Sequence, residues 1–307
     1  MKRALLAIAL PLLALPMTAK ADLPAEVASA VAAMGAVNDA GATADVVRPM
    51  FAHIAPPRGV DAQRDIAFGD HPLQRLDVYT SAPDAGAGKP ILLFVHGGGF
   101  TGGDKHRPGD FTYDNIMIWA VQNGFVGVNT NYRLAPEFPY PNATQDVASA
   151  IAWARAHGAE YGGDPNKIFL WGHSAGGSLA GSYVSHPEFH VAPGSGLSGV
   201  ILGSGQGYEI EEANAYYADA SKLDEMASLP GLLRTDVPIF MYRAEFDPPG
   251  IAQASERLNE ALCAAGKCPE VFLHNAAHNH MTQVYTVNTT ETGVTDRILQ
   301  FLRAHAD

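Results

Sequence analysis

The chain has 307 residues, of which 47% are apolar and 17% charged, with 31 glycines and 21 prolines. This composition excludes a disordered or collagen-like chain and leaves enough apolar material for one sizeable core. The formal charge of −12, without any basic run, argues against nucleic-acid binding, because such surfaces neutralise phosphates with clustered Lys and Arg.

The amino terminus has the pattern of a secretory signal. A basic pair at residues 2–3 precedes an apolar stretch over 4–16, and small residues stand at Ala19 and Ala21. The apolar stretch is shorter than the roughly 20 residues that a membrane-spanning helix needs, and it contains prolines. We therefore predict a signal peptide over 1–21, cleaved after Ala21, with a periplasmic or secreted location and no stable membrane insertion afterwards.

The remaining elements alternate in type along the chain. Residues 23–54 have the apolar spacing of two short helices, interrupted near Gly41. Residues 65–68 and 75–79 are typical of a strand pair. Unbroken apolar runs of strand length follow, as expected for strands buried on both faces, at 91–95, 125–129, 168–171, 199–203, 237–242 and 271–273. Helical periodicity covers residues 142–157, 174–185, 251–265 and 294–305.

This alternation predicts one α/β domain over residues 22–307, with no linker-like stretch in its interior. Its central sheet should be mostly parallel, with helices on both faces and one antiparallel hairpin at its start. The segment 206–235 lacks strand character, and we expect it to cross one end of the sheet. Ligands of such sheets bind outside the carboxyl ends of the strands, so Gly97, Ser174 and Asp247 should lie on one rim.

A glycine-rich segment, His-Gly-Gly-Gly at 96–99, follows the first long apolar strand. Consecutive glycines allow backbone N–H groups to point into one concavity, where they can stabilise an oxyanion. We expect the donors to be Gly98 and Gly99, completed by the amide of Ala175. A flexible hairpin or a phosphate cradle is the alternative, and the absence of a G-x-x-x-x-G-K-[ST] pattern argues against the cradle. His96 itself is expected to be structural.

The sequence Gly-His-Ser-Ala-Gly at 172–176 stands where the strand predicted over 168–171 must turn into a helix. A serine on such a turn projects its hydroxyl above the sheet, and the flanking glycines avoid collisions with neighbouring elements. The G-x-S-x-G pattern alone is only moderately specific, and the strand and helix around it supply the context. We predict that Ser174 is a nucleophile, with a tight structural turn as the alternative.

A serine nucleophile needs a base within hydrogen-bond reach and a group that orients the base. In this topology the expected chain order is serine, acid and histidine. Asp247 follows the strand predicted over 237–242 and is the expected acid. Glu245 is its competitor, and capping the next helix is the alternative role for Asp247. His280 is the expected base, and His278 is its competitor.

The histidine-rich segment and the cysteines could also serve other chemistry. Three histidines at 274, 278 and 280 would suit a metal ion, but no nearby carboxylate or cysteine completes a ligand set, so neither a metal nor an organic cofactor is expected. Cys263 and Cys268 are close enough to form a disulfide in an oxidising compartment, with two free thiols as the alternative. Their spacing excludes a C-x-x-C redox site.

Four motifs in this order resemble the α/β-hydrolase carboxylesterases related to hormone-sensitive lipase. They are His-Gly-Gly-Gly at 96–99, Tyr-Arg-Leu-Ala-Pro-Glu at 132–137, Gly-Gly-Asp-Pro at 162–165 and Gly-His-Ser-Ala-Gly-Gly at 172–177. The stretch around 96–105 is also similar to the kynurenine-formamidase-like branch. Many relatives carry Asp where this chain has His173, and His-Gly-Phe where it has His-Met-Thr at 280–282.

The resemblance implies an α/β-hydrolase fold and hydrolysis of short- to medium-chain acyl esters of small molecules. The covalent acyl-enzyme would form on Ser174, with His280 as base and Asp247 as the acid that orients it. The resemblance also implies a small helical cap built from residues 22–60 and 206–235. An N-acyl or formamide amidohydrolase, a polysaccharide acetyl or feruloyl esterase, and a non-catalytic ligand-binding protein remain alternatives.

Overall fold

A computed structural model of the chain describes residues 17–19, 23–51, 59–81, 87–107 and 111–306. The predicted signal peptide lies outside these residues except for 17–19, which form a strand. The described strands are β1 (Met17–Ala19), β2 (Val60–Ala67), β3 (Arg75–Ser81), β4 (Lys89–Val95), β5 (Val126–Thr130), β6 (Gly163–His173), β7 (Gly199–Gly203), β8 (Ile239–Phe246) and β9 (Val271–Asn279). The described α-helices are α1 (Ala25–Met34), α2 (Ala40–Phe51), α3 (Asp114–Gln122), α4 (Asn142–His157), α5 (Ala175–Ser185), α6 (Leu223–Met226), α7 (Leu229–Leu232), α8 (Pro249–Ala264), α9 (Thr282–Tyr285) and α10 (Gly293–Ala304).

These strands form one sheet in the order β1-β9-β8-β7-β6-β4-β5-β3-β2. Neighbouring strands are parallel except at β2 with β3 and β3 with β5, which are antiparallel. The predicted fold, a mostly parallel sheet that starts with an antiparallel pair and carries helices on both faces, is confirmed.

Two apolar cores cover the two faces of the sheet, and consecutive residues of the central strands alternate between them. In β4, Ile91, Leu93 and Val95 face the core that includes α4, α5 and α8. Leu92 and Phe94 face the core that includes α1, α3 and α10. Each fully buried side chain of this size stabilises the fold by roughly 1.5–3 kcal/mol relative to exposure. The unbroken apolar runs of the central strands follow from this double coverage.

The structure corrects several element boundaries. The break between α1 and α2 lies at 35–39 and not near Gly41, which is inside α2. Gly35 ends α1 with a positive φ of 70°, and the carboxylate of Asp39 accepts a hydrogen bond from the amide of Ala42 at the start of α2. Helix α3 is not among the predicted elements.

The strand predicted at 271–273 ends too early. Strand β9 continues to Asn279, because its polar residues pair with β8 in register, His274 with Arg243 and Asn275 with Ala244. His280 is therefore the first residue beyond the strand. Segment 206–235 has no strand and contains α6 and α7, as the absence of strand character predicts.

A disulfide joins Cys263, in the last turn of α8, to Cys268, just before β9. Within the described ranges, no helix is both long enough and apolar enough to cross a membrane.

Candidate active site

Ser174 stands at the sharp turn between β6 and α5. Its backbone has φ 58° and ψ −124°, a conformation that residues other than glycine rarely adopt. Its amide donates a hydrogen bond to the carbonyl of Gly203 at 2.8 Å. A Cβ at Gly172 would lie 2.0 Å from the carbonyl oxygen of Gly176, and a Cβ at Gly176 would lie 2.0 Å from that of Val95. Both flanking positions therefore require glycine.

The three side chains predicted as nucleophile, base and acid form one hydrogen-bonded chain. The Oγ of Ser174 lies 2.8 Å from Nε2 of His280, and Nδ1 of His280 lies 2.6 Å from Oδ1 of Asp247. His280 and Asp247 are buried, whereas Ser174 is half-buried. With Nδ1–H donating to the carboxylate, Nε2 can accept the serine proton, which is the geometry that activates a hydroxyl.

The carboxylate of Asp247 is fixed by further buried donors that sequence reasoning missed. Its Oδ2 accepts hydrogen bonds from the hydroxyl of Ser204 at 2.7 Å and the amide of Ala244 at 2.8 Å. Gln283 donates to the Ser204 hydroxyl at 2.8 Å and accepts from Asn275 at 2.8 Å. Ser204 comes directly after β7, on the predicted rim, and that position was the only sequence signal that could have indicated it.

His173 lies beside the nucleophile and contacts His280. The two imidazole centroids are 4.7 Å apart, and Nε2 of His173 donates to the backbone carbonyl of His280 at 2.9 Å. Burial lowers the pKa of His173 well below its ordinary value, and the adjacent His280 lowers it further. His173 is therefore neutral and holds the backbone from which the His280 ring projects.

The glycine segment after β4 lies against the serine. A Cβ at Gly97 would lie 2.9 Å from Cβ of Ser174, so this position also excludes a side chain. Gly98 and Gly99 have positive φ values of 122° and 62°. Among the backbone hydrogen bonds of the described residues, none uses the N–H of Gly98 or Gly99. These groups are free for an oxyanion, and their role, with that of Ala175 at the start of α5, stays a prediction.

Two ion pairs of the buried Lys105 side chain tie the residues that follow the glycine segment to the sheet. Nζ of Lys105 lies 2.7 Å from Oδ1 of Asp65 and 2.9 Å from Oδ1 of Asp77. Burial by itself would lower the pKa of Lys105, but hydrogen bonds to these two carboxylates raise it above its ordinary value. Asn131 accepts a hydrogen bond from the backbone amide of Lys105 at 2.6 Å. Both the side chain and the main chain thus fix the position of this segment.

His278 and Glu245, the alternative base and acid, form hydrogen bonds with other residues. Nδ1 of His278 lies 3.0 Å from the hydroxyl of Thr282, and Glu245 accepts a hydrogen bond from the amide of Ala277 at 2.7 Å. In the part of the chain that the structure describes, no group of three or more His, Cys, Asp or Glu side chains is arranged to hold a metal ion.

A cavity of about 210 Å³ includes Ser174 in its wall. Other residues in the wall include Asn38, Ala40, Gly98, Arg107, Tyr113 and Met281. The amino-terminal part of the predicted cap, residues 22–60, thus contributes to the wall, whereas residues 206–235 do not. A larger cavity, of about 350 Å³, lies between the end of α5 and the start of β8 and contains none of these side chains.

The sequence is similar to known esterases. A family model described as BD-FAE matches residues 76–185, from β3 through α5. Esterase LipC of Mycobacterium tuberculosis is 38% identical over 132 residues, which are 42% of this chain and 32% of LipC. Carboxylic ester hydrolase LipN of the same organism is 26% identical over 260 residues, which are 73% of this chain and 65% of LipN. The chain therefore spans less than two thirds of either relative.

Solved structures share the fold. Esterase B from Lactobacillus rhamnosis, inhibited by a tributyrin phosphonate, is similar with a TM-score of 0.70 and 19% sequence identity. The similarity covers 91% of this chain and 95% of that esterase. Together with the sequence matches, this likeness confirms the resemblance to α/β-hydrolase carboxylesterases of the hormone-sensitive lipase type.

Proposed function

We propose that this chain, an α/β-hydrolase related to carboxylesterases of the hormone-sensitive lipase type, is a serine carboxylesterase. Its substrates would be small-molecule esters with short- to medium-chain acyl groups. The observation that carries this proposal is the hydrogen-bonded chain of Ser174, His280 and Asp247, whose hydroxyl end opens into a cavity. At about 210 Å³, the cavity is smaller than the roughly 300–1,000 Å³ typical of sites for drug-sized ligands, which supports a small substrate.

In the proposed mechanism, Oγ of Ser174 attacks the ester carbonyl while Nε2 of His280 takes the hydroxyl proton. Asp247 orients the imidazole and stabilises the imidazolium that forms. The amides of Gly98, Gly99 and Ala175 would hold the oxyanion, and the loss of one such donor typically costs about 2.7–4 kcal/mol of the barrier. The imidazolium then protonates the leaving alcohol, and a water molecule hydrolyses the acyl-enzyme by the same steps.

The test is hydrolysis of p-nitrophenyl esters from acetate to palmitate by the native chain and by Ser174→Ala. We expect kcat to fall by about 10⁴-fold or more in Ser174→Ala and in His280→Gln. A fluorophosphonate should label the native chain and leave Ser174→Ala unlabelled.

Three outcomes would contradict the proposal. Full activity of Ser174→Ala would show that Ser174 is not the nucleophile. Loss of activity in His278→Gln but not in His280→Gln would show that His278, and not His280, is the base. Faster hydrolysis of N-formyl compounds than of esters would favour the amidohydrolase alternative, which no contact of the site currently favours.

We also propose that the chain is exported, with residues 1–21, and with them the edge strand β1, removed as a signal peptide. The basic, apolar and small residues of that segment support this location, and so does the disulfide between Cys263 and Cys268. Amino-terminal sequencing of the chain recovered from the periplasm or medium should begin at Asp22. A chain that keeps Met1 and stays in the cytoplasm would contradict export.

A further inference from the structure

Arg107 stands in the wall of the cavity that contains Ser174, and its side chain is exposed. Among the described residues of that wall it is the only charged one. The cations around it have carboxylate partners: Lys105 binds Asp65, and Arg64 binds Asp114 at 2.7 Å. Arg107 forms no ion pair with a residue that the structure describes. Its exposed guanidinium therefore borders the cavity without a carboxylate partner among the described residues.

The charge of Arg107 also affects the pKa values of groups close to the cavity. Burial raises the pKa of the Tyr113 hydroxyl, and the positive charge of Arg107 opposes that rise. Burial lowers the pKa of His96, the negative charge of Asp104 opposes that shift, and the charge of Arg107 adds to it. Tyr113 lines the cavity, and His96 begins the glycine segment. The charge of Arg107 therefore acts on Tyr113, which borders the same cavity as Ser174.

The rest of the molecule would repel an anion. The chain carries a formal charge of −12, so an anionic substrate would be disfavoured at most of its surface. An arginine presents a planar set of donors that matches a carboxylate in two parallel hydrogen bonds. Binding of a neutral ester would not require an arginine that has no carboxylate partner among the described residues of the cavity.

We propose that Arg107 binds a carboxylate of the substrate, so that the preferred substrates are esters carrying a carboxylate near the scissile bond. This inference rests on the proposed esterase function. The carboxylate could belong to the acyl group, as in a monoester of a dicarboxylic acid, or to the alcohol. In both cases the bond that breaks is the acyl–oxygen bond at the carbonyl attacked by Ser174, and the carboxylate takes no part in the chemistry.

The experiment compares charged and neutral esters of matched size. For the acyl arm, the 4-nitrophenyl monoester of glutaric acid is compared with its methyl-capped diester. For the alcohol arm, 3-carboxyphenyl acetate is compared with 3-methoxycarbonylphenyl acetate. Each kcat/KM is corrected for the rate with Ser174→Ala, and the measured quantity is the ratio of charged to neutral ester. The variants are Arg107→Gln, Arg107→Lys and the control Arg303→Gln.

Arg303 is a matched control because it is also an exposed arginine but does not line the cavity that contains Ser174. It lies in the last turn of α10, and Phe301 of that helix packs beside Gly199 at the amino end of β7. We expect the charged-to-neutral ratio in one arm to fall about five- to tenfold in Arg107→Gln, as for loss of a partly exposed charged pair. Arg107→Lys should keep most of the ratio, and Arg303→Gln all of it. Salt should reduce the ratio of the native chain, because ions screen exposed charges.

Other outcomes would overturn the inference. An unchanged ratio in both arms would mean that Arg107 does not recognise a carboxylate. An equal loss for charged and neutral esters would mean that its charge stabilises the oxyanion for every substrate.

A binding measurement keeps the inference separate from the proposed function. The unhydrolysed glutarate monoester should raise the melting temperature of Ser174→Ala and not of the double variant Ser174→Ala, Arg107→Gln. The shift in melting temperature needs no turnover. If the native chain hydrolyses no ester, the esterase proposal is contradicted, and the shift still shows whether Arg107 binds a carboxylate. No shift in either variant, together with an unchanged ratio, would overturn the role of Arg107.

Discussion

Ser204 links side chains from three parts of the chain, since its hydroxyl donates to Asp247 and accepts from Gln283. Among the described residues its side chain forms no hydrogen bond with Ser174 or His280, so we infer that it positions Asp247, the proposed acid. All three linked side chains are buried, where a hydrogen bond to a charged group contributes about 1.5–3 kcal/mol.

Replacing Ser204 should therefore lower catalysis without changing substrate binding. In Ser204→Ala, Asp247 loses one of its donors and Gln283 loses one of its acceptors, so we expect kcat for a p-nitrophenyl ester to fall about tenfold. KM should change by less than about twofold. Ser204→Thr, which keeps a hydroxyl, should restore part of the rate.

Ser149→Ala is the matched control, because that hydroxyl donates only to the carbonyl of Gln145 within α4. Equal activities of Ser204→Ala and Ser149→Ala would mean that the bond to the carboxylate does not position the acid.

The sequence indicates Ser174 much better than it indicates Ser204. Ser174 lies in a local pattern whose glycines are required by backbone contacts within and beside the same turn. The bonds of Ser204 depend on Asp247 and Gln283, which are 43 and 79 residues away. Without a fold, nothing in the residues near Ser204 brings those partners together, so sequence reasoning could not have assigned this role.

At the scale of elements, the turn between β6 and α5 depends on close backbone approach to β4. Gly176→Ala would place its Cβ 2.0 Å from the carbonyl oxygen of Val95, so α5 or β4 must shift. We expect the free energy of unfolding to fall by about 1–3 kcal/mol or more, as for overpacked interiors, and activity to be lost. Chemical denaturation monitored by circular dichroism measures the change.

A second alanine substitution serves as the control for this prediction. A Cβ at Gly250, in the first turn of α8, meets no atom within 4 Å. Gly250→Ala should leave stability unchanged or raise it by up to about 1 kcal/mol, because alanine has less conformational freedom to lose. If both substitutions destabilise the chain equally, the cause is not the contact at Val95.

The strands of the sheet differ in how well their sequences predict them. The central strands are predicted by their unbroken apolar runs, because both of their faces are covered. The polar second half of β9 has no such run. It forms a strand because its backbone pairs with that of β8. The position of His280 depends on that pairing, since the strand carries the chain to the rim where Asp247 lies. Its exact place could not be read from composition.

At the scale of the whole molecule, buried histidines couple stability to pH. Burial lowers the pKa values of His173 and His96, so the folded chain keeps both neutral at a pH where the unfolded chain binds protons. Their contribution to stability is fully present above the unfolded pKa of about 6.5 and is lost as the pH falls below it. Each group can add a slope of up to about 1.4 kcal/mol per pH unit.

Denaturant unfolding between pH 5 and pH 7.5 measures this dependence. We expect the free energy of unfolding of the native chain to fall as the pH falls below about 6.5. His173→Gln should show a shallower slope, whatever its stability at pH 7.5, because one proton fewer is taken up on unfolding. Identical slopes for the two chains would mean that His173 is protonated in the folded state.

The order in which the site is assembled follows from the distance along the chain between its parts. Ser174 leaves the ribosome well before Asp247 and His280, whose strands β8 and β9 are close to the carboxyl end. A nascent or translocating polypeptide therefore holds an inert alcohol, and under the proposed mechanism it cannot cleave esters of the cell that makes it. Under that mechanism, hydrolysis would begin only after the final two strands have docked, so folding of the chain would be the event that activates it.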